Sequence, residues 1–361
     1  MKPILYALLI TVLFSISPAY SQDESDYFNM AREKSDLLKY EEAAQLYTKA
    51  INIKPNFVEA LFNRARAYYL LLKTKEAISD LDKVLSIDDK NFHAYSLRFQ
   101  VYLSLDDLIK AKKDVDKEIS LEPNSYYSHS DLAYYYSHIK NYAEADKEYK
   151  KALKISPNEV NANMNDATML VYLKKYSEAV EYYNKAIEIQ PSYDMAYSGR
   201  GWANFKLKEY DKAASDFKKA LSINPVMAAP YNYLSTISFI KGDFDKSKSY
   251  LFQLIQKSPN KEFGYYNLGY VHYASQNYDS SKYYYDRAIE TSTAYYFPYL
   301  GLAVLNYENG DTVKAKEYLA EVKSKSDDWI NGIPSAEILE ESDSFFTENF
   351  KKTLESLYRL K

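Results

Sequence analysis

The side chains best suited to proton transfer or metal binding are four histidines, His93, His129, His138 and His272. A helical metal or acid–base site needs imidazoles one turn apart, often as His-Glu-x-x-His, and no two of these stand at such a spacing. His129 and His272 fall at packing positions and read as core or edge residues. Cysteine is absent, which removes thiolate nucleophiles, thiolate metal sites, disulfides and a lipid-modified cysteine behind a leader. There is no phosphate-cradling glycine loop and no Gly-x-Ser-x-Gly elbow. Carboxylates alternate with lysines, as at Lys147-Glu148 and Lys150-Lys151, the habit of a solvated helix face. With 46 basic and 50 acidic residues the chain is not built to grip a phosphate backbone. The expectation is no enzyme, no cofactor, no metal site and no nucleic-acid partner. What remains to act is rings and amides.

The elements that must position those rings recur every 34 residues. Prolines at 55, 123, 157, 191, 225 and 259 are separated by 34 or 68. Twelve residues before each proline position stands a small residue: Ala43, Ala77, Ala111, Ala145, Ala179, Ala213, Ser247, Ser281 and Ala315. Four further on comes a large apolar one: Tyr47, Leu81, Val115, Tyr149, Tyr183, Phe217, Leu251, Tyr285 and Leu319. Spacings of this kind put the side chains on one helical face. A first helix precedes each, with small residues such as Ala31, Ala65, Ala133, Gly201, Gly269 and Ala303 where two helices must approach closely. Ordering one such unit costs roughly 34 to 68 kcal/mol of backbone entropy, so a lone hairpin must stack on neighbours to persist.

This 34-residue helix-turn-helix resembles the tetratricopeptide repeat, in nine copies over about residues 24–327. The resemblance implies an all-α, right-handed solenoid with repeats starting near 24, 58, 92, 126, 160, 194, 228, 262 and 296. The first-helix position that usually holds tryptophan reads Tyr27, Leu61, Tyr95, His129, Asn163, Tyr197, Tyr231, Tyr265 and Tyr299. Asn163, and Phe99 at a position preferring a small residue, are the poorest fits and predict less regular packing in repeats 3 and 5. Gly242 and Gly310 suit helix ends that turn left-handed. Asn56, Asn124, Asn158, Ser192 and Asn260, each following a proline, are expected to cap the next helix.

The resemblance also implies that first helices line a concave groove. Its expected lining is Tyr127, Tyr134, Asn165, Trp202, Phe205, Phe239, Phe263, Tyr266, Asn267, Tyr270 and Tyr273, aromatic and amide-bearing rather than cationic. The basic clamp that co-chaperones of this family close on a terminal carboxylate is not matched, since its five positions hold Phe28, Arg32, Asn63, His93 and Leu97. The asparagine ladder of O-GlcNAc transferases is broken at Leu97, Asp131, Gly199, Tyr233 and Gly301.

Residues 1–21 read as a signal peptide, with Lys2, an apolar run from Ile4 to Ile16 and a cleavage site near Ser21/Gln22. That run is too short for a span of ~20 residues, so the mature chain is expected to be exported, periplasmic or extracellular, with no membrane span. Residues 328–361 read as a turn-rich break, 328–334, then a helix at about 343–360 with Phe346, Phe350, Leu354 and Leu357 on one side, taken as a cap on the last repeat. The expected function is a non-catalytic scaffold holding a protein or peptide in the groove. A carbohydrate-binding accessory subunit is the alternative, and self-association through faces such as Tyr182-Tyr183 or Tyr283 to Tyr285 is a third reading.

Overall fold

The computed structural model describes residues 22–257, 261–325 and 347–359. The leader, Asn260, the 328–334 break and Phe346 lie outside them. Among the described residues there are nineteen helices and no strand. Residues 1–141 and 142–361 form two compact units. The first holds α1 (Glu24–Asp36), α2 (Tyr40–Ile53), α3 (Val58–Leu70), α4 (Thr74–Ile87), α5 (Phe92–Ser104), α6 (Leu108–Leu121) and α7 (Tyr126–His138). The second holds α8 (Tyr142–Ile155), α9 (Val160–Tyr172), α10 (Tyr176–Ile189), α11 (Asp194–Lys206), α12 (Tyr210–Ile223), α13 (Ala228–Ile240), α14 (Phe244–Lys257), α15 (Lys261–Ala274), α16 (Tyr278–Thr291), α17 (Phe297–Glu308), α18 (Thr312–Lys325) and α19 (Glu348–Arg359). Within each unit consecutive helices pack as antiparallel hairpins, and each hairpin packs on the next, the all-α solenoid arrangement.

The small–large pattern builds the core. Every one of the nine small residues, from Ala43 to Ala315, is 0 % exposed, and the large residues four positions on are buried. Close approach matters most around Tyr285, where a Cβ on Gly269 would stand 2.5 Å from the ring and one on Gly301 would collide with it.

Each hairpin bend carries one left-handed residue, at Leu38, Leu72, Asp106, Lys140, Lys174, Lys208, Gly242, Gln276 and Gly310. The following amide donates back to a carbonyl five residues earlier, as Lys73 N to Tyr68 O at 2.8 Å and Asp243 N to Ser238 O at 2.9 Å, the Schellman closure. Only two of the nine are glycine, so the bend is imposed by those hydrogen bonds and the flanking packing rather than by residue type.

Two expectations are corrected. Asn56, Asn124, Asn158 and Ser192 do not cap the helices that follow them. The N-cap positions of α3, α7, α9 and α11 are Phe57, Ser125, Glu159 and Tyr193, none with a side-chain cap bond. Asn56 instead lies inside a turn closed by Phe57 N to Lys54 O at 3.0 Å, one residue too early to reach the helix. Side-chain caps occur elsewhere, at Asp23, Asn91, Asp107 and Asn277. Asn163 is also no misfit: it is buried, and its Nδ2 donates to Pro157 O at 3.0 Å and Glu159 O at 2.9 Å. His129 Nε2 to Pro123 O (3.0 Å), Tyr231 Oη to Pro225 O (3.2 Å) and Tyr95 Oη to Asp89 O (3.2 Å) make the same tie six residues back. In these four copies the side chain donates to the inter-repeat turn, whereas Leu61 fills the same position with a buried apolar group. Phe99 is likewise fully buried in the core of the first unit.

Candidate partner-binding face

The first helices divide the expected groove residues into three groups by burial. Tyr127 (63 % exposed), Tyr134 (50 %), Asn165 and Phe263 (45 %) are open to solvent. Trp202 and Phe239 are half-buried. The Trp202 ring meets Tyr176 edge-on at 5.6 Å and lies under Lys206 Nζ at 5.2 Å; Phe239 leans on Phe244 at 5.4 Å. Phe205, Tyr266, Asn267, Tyr270 and Tyr273 are buried. Phe205 packs on Tyr210 and Tyr233, and Tyr266 sits among Tyr285, Tyr295 and Phe297. Asn267 Nδ2 donates to Asn232 Oδ1 at 2.5 Å, tying neighbouring first helices.

Tyr270 and Tyr273 lie beneath a part of the chain remote in sequence. Phe350 of α19 meets them edge-on at 5.4 and 5.3 Å, and Phe350, Leu354 and Leu357 are all buried. Thr347 N donates to Tyr270 Oη at 2.5 Å. Glu308 Oε1 accepts from Tyr273 Oη at 2.7 Å, Asn349 Nδ2 at 3.0 Å and Thr353 Oγ1 at 2.8 Å. Burial pushes the Tyr270 phenol up to about 12, so it stays a neutral hydrogen-bonding group. The chain's own helix therefore occupies this stretch of the first-helix face, and the open part of the second unit's face runs through Asn165, Tyr172 and Phe263, with Trp202 half-covered. On the second helices Tyr183 and Tyr285 are core and Tyr182 and Tyr284 half-buried, so within the faces expected to self-associate Tyr283, 58 % exposed, is the most open ring.

In the first unit three successive first helices enclose a cavity of about 360 Å³ lined by Tyr69, Gln100, Leu103, Ser104, Asp131, Tyr134 and His138. Of these, Tyr134 belongs to the expected groove set. The others sit at groove-lining positions of repeats 2 to 4, so the same reading extended to repeats 2 and 3 finds Tyr69, Gln100, Leu103 and Ser104. Ser96 Oγ donates to Asp131 Oδ2 at 2.6 Å. Burial pushes Asp131 up to about 6. Behind it Glu118 is 0 % exposed, and burial, the charge of Asp131 and a hydrogen bond to that carboxylate push it up to about 10. Glu118 is thus a neutral acid. Burial and the charge of Asp146 likewise push Asp166 up to about 8.

A second set of side chains missed in the sequence is a repeated arginine brace. Arg64 pairs bidentately with Asp80 at 2.7 and 2.8 Å and donates to Thr48 of the preceding repeat at 2.9 Å. Arg98 does the same with Asp114 and Asp82, and Arg200 with Asp216 and Asn184. In all three the partners lie 16 residues to either side, a spacing visible in the sequence once two helices of a hairpin are aligned. These groups stitch repeats together and leave little free charge. Among the described residues no group of three or more acidic or histidine side chains is placed to hold a metal ion.

Models of the tetratricopeptide repeat match residues 58–91, 126–159 and 264–295, and 195–225, and a TPR repeat model matches 39–71 and 168–208. Taken with the stacked helical hairpins, these matches place the chain in the tetratricopeptide repeat family. Solved structures share the fold. A tetratricopeptide repeat protein from Parabacteroides merdae is 18 % identical over 72 % of this chain and 98 % of its own, with a TM-score of 0.51. The C-terminal part of a TPR repeat-containing protein from Cytophaga hutchinsonii is 16 % identical over 66 % and 97 %, at 0.52. PilW, a widely conserved type IV pilus biogenesis factor, is 21 % identical over 55 % and 92 %, at 0.51. No curated protein matches the chain.

Proposed function

We propose that this protein is an exported, non-catalytic scaffold that captures a polypeptide segment on the exposed first-helix rings. The observation that carries the reading is the set of aromatic side chains left open on first helices, Tyr127, Tyr134, Tyr172 and Phe263. Tyrosine and tryptophan supply rigid contact area with a polar handle and are enriched at binding hot spots. A preformed helical face spends little ordering entropy on association. Export rests on the leader pattern of residues 1–21. The part PilW plays in type IV pilus biogenesis is compatible with an envelope scaffold.

The test is a photo-crosslinking amino acid placed at 127, 134 or 263 in the full chain in its native cell, with the same substitution at the second-helix residue Tyr283 as control. Partner polypeptides crosslinked from the first-helix positions and lost in Tyr127→Ala/Tyr134→Ala support the reading. Crosslinks confined to Tyr283 and to the chain's own copies would instead make the protein a self-assembling one, and glycan capture without protein capture would favour the carbohydrate alternative.

A further inference from the structure

The cavity of the first unit has a composition that selects its ligand. Its floor is an acid, Asp131, held by Ser96 Oγ at 2.6 Å. Two tyrosines, Tyr69 and the half-exposed Tyr134, furnish its aromatic sides. Gln100 and Ser104 add neutral hydrogen-bonding groups, and no lysine or arginine lines it. The buried Glu118 behind Asp131 is neutral, so the floor carries one carboxylate rather than two. His138, on the rim, is turned toward Asp106, with Nε2 3.2 Å from Oδ1.

Each class of ligand meets this lining differently. An anionic side chain or a terminal carboxylate would sit against Asp131 and be repelled. A purely apolar side chain would cover Asp131 without bringing it a counter-charge, leaving it only the neutral hydroxyl of Ser96 and the neutral acid Glu118, and covering a carboxylate that has no cationic partner is costly. A cation satisfies both features at once: its N–H groups pair with the carboxylate, and its charge is favoured over the negative faces of tyrosine rings. A planar guanidinium does so best, since it presents two parallel donors to one carboxylate and stacks on an aromatic face.

We propose that this cavity is a recognition pocket for an arginine side chain of a partner polypeptide, with Asp131 as the acceptor and Tyr69 and Tyr134 as the flanking rings. The proposal deepens the scaffold reading and rests on it for the polypeptide carrying the side chain. The three helices that build the pocket lie in one unit, so it is preformed and independent of α19. Tyr127, exposed on the same helix as Tyr134 and Asp131, extends the surface along which the flanking peptide residues lie.

The experiment selects binders from a degenerate decapeptide library on the full chain and on Asp131→Asn and Tyr134→Ala. Tyr134→Ala removes a half-exposed ring and serves as the variant whose folding is safe, while circular dichroism checks Asp131→Asn. The expected result is arginine enrichment on the wild type that falls at least about tenfold in both variants. In a selected peptide, replacing arginine by citrulline, the same shape without charge, abolishes binding, and lysine is retained more weakly. Equal composition of the pools bound by wild type and Asp131→Asn would overturn the proposal, as would full binding of the citrulline peptide or failure of the library to bind. Displacement by N-acetylarginine amide at the same concentration as the peptide would also overturn it, by making this a site for a small free cation. Failure here is separable from failure of the scaffold reading, because crosslinking at 127, 134 or 263 to an arginine-free partner segment would leave that reading standing.

Discussion

Replacing Tyr270 by alanine separates a binding ring from a structural one. Read from sequence, Tyr270 belongs to a groove and Tyr270→Ala is predicted to weaken ligand capture with the fold intact. In the structure the side chain is 0 % exposed, its ring meets Phe350 at 5.4 Å and Phe239 at 5.7 Å, and its oxygen accepts from Thr347 N. Truncating a fully buried aromatic costs about 3 to 5 kcal/mol. Tyr270→Phe keeps the ring and strands one backbone donor, a loss of about 1 to 3 kcal/mol. Because each repeat touches only its neighbours, the damage should stay local, releasing α19 and the last repeats before the first unit feels anything. The assay is urea unfolding by circular dichroism combined with hydrogen exchange resolved by segment. Tyr270→Ala should lower the midpoint and strip protection from 348–359 and 261–274, Tyr270→Phe should do so weakly, and 58–138 should exchange as in the wild type. An unchanged midpoint with 348–359 still protected would refute the assignment of Tyr270 to the core.

Other consequences can be measured independently. Glu118 is protonated in the fold up to about 10 and would be ionised above about 4.5 when unfolded, so folding binds a proton between those values and stability falls as pH rises through the window. Glu118→Gln, neutral at every pH, should therefore gain on the wild type with rising pH, by up to about 3 kcal/mol at pH 7, and a gap between their melting temperatures that is the same at pH 5 and pH 8 would contradict this. Arg98→Met should cost about 3 to 5 kcal/mol because Asp114, 2 % exposed, is left buried without its bidentate partner, whereas the double change Arg98→Met/Asp114→Leu should recover much of that in the same unfolding assay. Gly301→Ala should destabilise by about 1 to 3 kcal/mol through collision with the Tyr285 ring, and a Tyr285→Leu background should relieve it, read by thermal melts.

Most of the fold is legible because its determinants are local and repeated. A helix needs only its own residues to show which face is apolar, and nine copies in phase turn a weak pattern into a firm one. Ala43 to Ala315 and their large partners can thus be placed in the core by counting alone. The bends and caps are less legible. Leu72 or Lys208 gives no sign of a left-handed backbone, since hydrogen bonds from flanking residues impose it, and a cap shifted by one residue, as at Asn56, changes its role without changing the pattern. Asn163 looks like a defect when residue similarity is judged on bulk, whereas in its own repeat the amide donates to the turn just before the helix.

The groove is legible as a set of positions but not as a surface. Sequence alone determined that Tyr134, Trp202 and Tyr270 come from first helices, because that depends on repeat phase. Tertiary structure alone decided that Tyr134 is open, Trp202 half-covered and Tyr270 sealed, because exposure depends on what arrives from elsewhere in the chain. Phe350 and Thr347 reach Tyr270 across nearly eighty residues, and Asp131 gathers Ser96 and Glu118 from two other helices into one environment. Periodicity records where a side chain points along its own helix; burial and charge are properties of neighbours, and those are fixed only when the helices stack.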